Sequence, residues 1–157
     1  AIVRPGGVTP EMLKAVLPDV QVDAAVMRPL RSGEVAVSPG MRHRHYAPKG
    51  SLTLIEGEAD KVEAACKRLY REAQARGESV RLLVATEHLP QYKGYATVAL
   101  GSLKQPETIA HTLFAALRQM DDEGVDTIYC EAVSMAGIGL AIMNRLRRAA
   151  AFHIERV

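Results

Sequence analysis

From residue 51 onward, apolar positions follow two alternating periods. Short, largely apolar runs typical of buried strands alternate with longer stretches whose apolar residues recur at the spacing of one helix face. The pattern predicts strands at 52–55, 80–85, 96–100, 126–132 and 152–157, and helices at 59–76, 105–123 and 138–150. Strands that are apolar on both faces and alternate with helices indicate a parallel sheet between helical layers. We therefore predict an α/β fold over residues 51–157, a Rossmann-like three-layer domain with a mostly parallel five-stranded sheet.

The first fifty residues have a different character. Thr9 and Pro10 suit the start of a short helix, and Pro18 ends its apolar spacing. Between residues 18 and 50 neither period continues, and prolines and glycines interrupt the chain. Unstructured connections longer than about 12–15 residues are uncommon inside a compact domain. Residues 18–50 are therefore predicted to form an extended interdomain linker.

Composition narrows the class of protein. The 157 residues are 48% hydrophobic and carry a formal net charge of only +2, which suits a globular domain and gives no sign of a dedicated nucleic-acid surface. No apolar run approaches the roughly 20 residues of a membrane span, so we expect no membrane partner and a cytoplasmic location. Cys66 and Cys130 lie in apolar segments and are expected to be buried, reduced thiols.

The second half of the linker carries candidate chemistry. Residues 38–49 hold two Arg, two His, one Tyr and one Lys, with no acidic residue among them. Guanidinium groups bind phosphate through paired hydrogen bonds, and Tyr or His can bond a carboxylate or stack on a base. This stretch is therefore suited to meet an anion.

Residues 38–48, Ser-Pro-Gly-Met-Arg-His-Arg-His-Tyr-Ala-Pro, closely resemble the linker of the long form of L-threonylcarbamoyladenylate synthase, in which the matching stretch reads Ser-Pro-Gly-Met-Lys-Tyr-Arg-His-Tyr-Ala-Pro. His43 departs from the usual Tyr. Residues 2–6 look like the last strand and turn of that family's YrdC-like catalytic domain. Residues 113–118, Glu131 and residues 137–146 look like its C-terminal accessory domain.

The resemblance implies a reaction and a domain layout. ATP, L-threonine and bicarbonate would give threonylcarbamoyl-AMP and pyrophosphate, with Mg²⁺ beside the ATP, and partner proteins would pass the threonylcarbamoyl group to a tRNA adenosine. Residues 1–17 would be the tail end of the catalytic domain, 18–50 the linker and 51–157 the accessory domain. The family's Lys-x-Arg and Ser-x-Asn pairs cannot be placed here. The chain alone is therefore expected to be inactive, to lack catalytic residues and to bind no cofactor.

The resemblance also assigns a nucleotide-binding set. Arg44, His45 and Tyr46 would form a lid that folds over the catalytic cleft and keeps water from a hydrolysable mixed anhydride. Arg4, in the Arg-Pro-Gly turn, would border the nucleotide. The alternatives are that the linker residues only tie the linker to the accessory domain and that Arg4 is a surface residue.

Three further features have two interpretations each. His43 and His45 could chelate a metal ion, although a solvated pair is favoured because no third ligand is evident. Gly137-Ile138-Gly139 could hold a nucleotide, although close packing of a helix on the sheet is favoured. A basic set could touch tRNA or a partner protein, although a solvated helix face is favoured. Its members are Arg118, Arg145, Arg147 and Arg148.

The second of these features leaves an alternative function open. In that alternative the chain is a self-sufficient Rossmann-like nucleotide-binding module, or an ATPase, that binds nucleotide at Gly137–Gly139.

Overall fold

The computed structural model describes residues 1–41 and 47–157. Its centre is a five-stranded sheet in the order β3-β2-β4-β1-β5, and every neighbouring pair of strands is parallel. The strands are β1 (Ser51–Glu56), β2 (Val80–Ala85), β3 (Thr97–Gly101), β4 (Thr127–Glu131) and β5 (Ile154–Arg156). The predicted five-stranded parallel sheet is confirmed, and every predicted strand end lies within two residues of the observed one.

Helices cover both faces of the sheet, which confirms the three-layer architecture. The helices are α1 (Pro10–Val16), α2 (Ala59–Ala75), α3 (Pro106–Asp122) and α4 (Gly139–Ala149). One face of the sheet packs on α2, and the opposite face packs on α3 and α4. Every residue of β4 is buried, because this strand lies at the centre of the sheet between the two helical layers.

Burying both faces of the central strands is the main source of stability. Leu54 and Ile128 point to the α3 and α4 side, whereas Ile55 and Leu82 point to the α2 side, and all four are fully buried. Removing an aliphatic side chain of this size from water contributes about 1.5–3 kcal/mol to folding. The continuous apolar runs that predicted a parallel sheet are thus explained by its two cores.

The connection from β2 to β3 contains a 3-10 helix, Thr86–Tyr92, which the sequence pattern does not predict. Pro90 lies inside it, and the polar residues around it resemble a loop. The side chain of Tyr92 is nevertheless buried against the α2 side of the sheet. Tyr92, the neighbouring Leu89 and the contact of His88 with Glu131 tie this polar segment to the sheet.

The described part of the first fifty residues is more structured than its sequence predicts. Ile2 and Val22 form a parallel β-bridge, and 3-10 helices occur at Ala24–Val26 and Pro39–Met41. Ala25, Val26 and Met41 are buried in a small apolar cluster of their own. The limits of the three predicted segments, 1–17, 18–50 and 51–157, remain predictions.

No helix in the described ranges is long and apolar enough to cross a bilayer.

Candidate functional site

The carboxyl ends of β1 and β4 enclose a cavity of about 370 Å³. The chain leaves β1 toward β2 and leaves β4 toward β5, in opposite directions, so this is the topological switch point where α/β sheets usually bind ligands. Glu56 and Ser134 are its polar side chains. The remaining lining is Ile55, Gly57, Val62, Ala132, Val133, Met135 and Met143.

The glycine turn that opens α4 follows the cavity residues Ser134 and Met135 in the chain. Three backbone N–H groups of this turn already make hydrogen bonds to other groups of the protein. The backbone N–H groups of Gly139 and Leu140 donate to the carbonyls of Ala136 and Gly137. The N–H of Gly137 donates to Glu11 Oε1 at 3.4 Å. Hydrogen bonds from its own backbone N–H and from that of Gly137 hold the pKa of Glu11 below its usual value. An anion at the Gly137 amide would therefore have to displace the carboxylate of Glu11.

Backbone geometry accounts for the glycines without a nucleotide. A Cβ atom at position 139 would collide with the carbonyl oxygen of Ser134, so only glycine allows this close approach of helix to loop. Gly137 has φ of +57°, in the left-handed region that other residues rarely adopt. The geometry favours the packing interpretation of the Gly137-Ile138-Gly139 turn.

A second polar group lies at the carboxyl end of β4, on the α2 side. Glu131 is only 5% exposed; its Oε2 lies 2.6 Å from His88 Nδ1 and also accepts the backbone N–H of Ala85. The Tyr92 hydroxyl is buried beside it and makes no hydrogen bond within the described ranges. Burial raises the pKa of that hydroxyl, and burial also raises the pKa of the Cys66 thiol to about 12. The protonated Tyr92 hydroxyl and Cys66 thiol thus lie near the buried side chain of Glu131, whose main partner is His88.

Replacing His88 with alanine is expected to lower the free energy of unfolding by about 1–3 kcal/mol, because Glu131 would lose its main partner while staying buried. Urea unfolding of the two proteins measures the difference. His111→Ala is the matched control, since His111 is exposed on α3 and its loss should change stability by less than about 0.5 kcal/mol. Equal effects of the two substitutions would contradict a structural role for the His88–Glu131 contact.

Of the four predicted nucleotide-binding residues, the structure describes only Arg4. Arg4 is exposed and follows the bridge of Ile2 with Val22. Arg44, His45 and Tyr46 lie outside the described residues, as does His43 of the candidate metal pair. Elsewhere, in residues 1–41 and 47–157, no three His, Cys, Asp or Glu side chains are grouped to hold a metal ion.

The residues on either side of that segment are held against the rest of the chain. Before it, Met41 is buried with Ala25 and Val26. After it, the N–H of Lys49 donates to Asp121 Oδ1 at the end of α3, at 2.7 Å. Ala47 also borders a cavity of about 250 Å³, whose other lining residues are Phe114, Leu117, Arg118 and Asp121. Met41 is therefore held by other residues of the first fifty, and Lys49 is held by α3 of the α/β domain.

Two members of the basic set do not lie on the solvated helix face that the sequence favours. Arg147 and Arg148 donate to backbone carbonyls of the linker, and Arg145 lies over the ring of Phe114 with 5.7 Å between the guanidinium carbon and the ring centroid. The prediction was wrong for Arg147 and Arg148 because spacing along a helix cannot reveal that a distant segment of the chain covers it.

Fold and contacts together define a class: a parallel three-layer α/β domain on which a preceding linker is docked by side chains of its last helix. The family model described as "Threonylcarbamoyl-AMP synthase, C-terminal domain" matches residues 8–151. The chain belongs to this family.

Similar proteins agree over almost the whole chain. The threonylcarbamoyl-AMP synthase of Pyrococcus abyssi is 36% identical over 156 residues, which are 99% of this chain and 44% of that protein. The synthase of Bacillus subtilis is 36% identical over 155 residues, 99% of this chain and 43% of that protein. The chain thus spans less than half the length of the curated relatives it matches.

Solved structures give the same result. The crystal structure of P. abyssi Sua5 complexed with L-threonine superposes with a TM-score of 0.85 at 36% identity, covering 99% of this chain and 43% of that one. The C-terminal Sua5 domain from Pyrococcus horikoshii matches at 35% identity with a TM-score of 0.55, covering 71% of this chain and all of that one.

Proposed function

We propose that this chain is the C-terminal part of a threonylcarbamoyl-AMP synthase. The observation that carries the proposal is the 36% identity to two such synthases over 99% of the chain. The whole protein would convert ATP, L-threonine and bicarbonate to threonylcarbamoyl-AMP and pyrophosphate in the cytoplasm. Partner proteins would then modify tRNA with the product. ATP and its Mg²⁺ would be bound by the YrdC-like catalytic domain, which alone would supply the Lys-x-Arg and Ser-x-Asn pairs.

An unpartnered apolar stripe supports the assignment of residues 1–17 to the catalytic domain. Val8, just before α1, and Met12 and Val16 within it recur every four residues, and all three are exposed, Val16 by 79%. No residue of α1 is buried. Isolated helices as short as this one are unstable in water without a packed face. The occupant that fits is the catalytic domain, because the relatives are more than twice as long as this chain.

For the linker we propose the lid role. Arg44 would hold phosphate, His45 and Tyr46 would contact the nucleotide or the reacting carboxylate, and Arg4 would border the same site. The contacts of Met41 and Lys49 support this role, because they fix the residues that precede and follow that segment. The solved P. abyssi structure was obtained with L-threonine, one of the proposed substrates.

The full-length protein tests the proposal. We expect pyrophosphate release from ATP that requires both L-threonine and bicarbonate, with threonylcarbamoyl-AMP as the other product, measured by coupled assay and mass spectrometry. Omitting L-threonine is the control. ATP consumption that is equally fast without L-threonine would contradict the synthase proposal and would favour an ATPase.

A further inference from the structure

One face of the last two turns of α4 is directed at the linker backbone. Asn144 Nδ2 donates to the carbonyl of Val26, Arg147 Nη1 to that of Met27 at 3.0 Å, and Arg148 Nη2 to that of Ala25 at 3.0 Å. Positions i, i+3 and i+4 lie on one side of a helix, so the three donors act together. Three successive carbonyls of the linker are thus held by three side chains of one helix.

Arg147 joins this contact to the sheet. Its Nη2 donates to Glu56 Oε1 at 2.8 Å, at the end of β1, while its Nη1 holds the linker. The side chain is only 11% exposed, and its Nε is buried with no hydrogen-bond partner in residues 1–41 and 47–157. Burying a guanidinium is costly unless its hydrogen bonds are made, so the residue needs both Glu56 and the Met27 carbonyl in place.

The turn at residues 23–27 makes its own hydrogen bonds and packs on Met41. Asp23 Oδ1 accepts the N–H of Ala25 at 2.8 Å, and the Asp23 carbonyl accepts the N–H of Val26. The side chains of Ala25 and Val26 pack on Met41, which immediately precedes the segment containing Arg44, His45 and Tyr46. A shift of the turn would therefore be transmitted to the start of that segment.

We propose that Asn144, Arg147 and Arg148 form a linker anchor and are positioning residues for the synthase reaction. The anchor fixes residues 25–27 and, through their packing, Met41, and the approach of the linker to the catalytic domain would depend on these fixed points. None of the three anchor residues touches substrate; they act through the linker backbone. This role rests on the proposed function, whereas the anchor contact itself does not.

The contact is tested first in the 157-residue chain, by hydrogen exchange. Arg147→Met keeps an apolar stem of similar length and removes the donors. We expect the amides of Ala25 and Val26 to exchange about tenfold faster, because the turn loses a charge-assisted bond and can open. Arg71→Met is the matched control, since Arg71 is exposed on α2 and bonds only the Tyr95 hydroxyl among the described residues. Unchanged exchange in Arg147→Met would overturn the anchor.

The role is tested in the full-length protein by steady-state kinetics and product analysis. Arg147→Met should lower kcat about tenfold, with a smaller change in the KM for ATP, and should raise the ratio of released pyrophosphate to intact threonylcarbamoyl-AMP. Arg147→Lys should recover part of the loss, because an ammonium can still reach one of the two acceptors. Arg71→Met should behave as wild type.

Two outcomes distinguish failure of the positioning role from failure of the proposed function. If the wild-type protein makes threonylcarbamoyl-AMP and Arg147→Met matches its kcat and product ratio at a temperature where both are folded, the positioning role is overturned and the proposed function stands. If the wild-type protein makes none, both fall. Asn144→Asp, which replaces a donor with an acceptor of the same shape, serves as the second variant if Arg147→Met does not fold, and the same outcomes decide.

Discussion

The isolated 157-residue chain is expected to release no pyrophosphate from ATP, L-threonine and bicarbonate. Catalysis of nucleotidyl transfer depends on groups that position the phosphates and stabilise the charge that develops on them. The Lys-x-Arg and Ser-x-Asn pairs that would do so cannot be placed in this sequence. The glycine turn of α4 offers no substitute, because the N–H of Gly137 already binds the carboxylate of Glu11. Addition of the catalytic domain should restore a rate that is above background by orders of magnitude.

Titration of ATP into the same chain, followed by calorimetry, provides the control. Weak or undetectable binding is expected, since no phosphate cradle is evident at the described helix ends. Tight stoichiometric binding, or threonine-dependent pyrophosphate release by the chain alone, would contradict the prediction and restore the nucleotide-module alternative. Glu11→Gln would then show whether that nucleotide enters the α4 turn, because loss of the carboxylate charge should strengthen phosphate binding there.

The fold of residues 51–157 could be predicted because local pattern and tertiary environment agree there. The runs at 80–85 and 126–132 are apolar on both faces, and they become the central strands β2 and β4, which are covered by helices on each side. Helix ends could be predicted from residues that favour starting or ending a helix. In α3 these are Pro106 in the first turn and Gly124 just after the last. Strand order could not be predicted, since the pattern does not state which strands are neighbours.

The linker contacts could not be predicted for a different physical reason. The carbonyls of Ala25, Val26 and Met27 are backbone groups, and backbone acceptors carry no residue-specific signal. Arg147 and Arg148 look like ordinary cations at a helix end, where the macrodipole favours them anyway. Glu131 was named only through resemblance, and its partner His88 lies 43 positions away in a segment with no periodic pattern. Contacts between a helix and irregular chain therefore required coordinates.

In the full-length protein, Tyr46→Ala is expected to reduce synthesis of threonylcarbamoyl-AMP more than Tyr46→Phe does. If Tyr46 closes over the nucleotide, Tyr46→Phe removes one hydrogen bond, which contributes about 0.5–1.5 kcal/mol, and Tyr46→Ala removes the ring contacts as well. The opened cleft admits water, so hydrolysis of the mixed anhydride should rise as product falls. The stability of residues 51–157 should hardly change, because the buried members of their two cores lie between Leu52 and Ala150.

The ratio of released pyrophosphate to trapped threonylcarbamoyl-AMP distinguishes a lid from a tether. A lid predicts that the ratio rises in Tyr46→Ala and rises less in Tyr46→Phe, at an unchanged melting temperature. A tether predicts altered domain docking or melting with the ratio intact, and the same pattern should then appear when Lys49, whose N–H is bonded to Asp121, is replaced by proline. An unchanged ratio and an unchanged rate in Tyr46→Ala would exclude a lid role for this residue while leaving Arg44 and His45 to be tested in the same way.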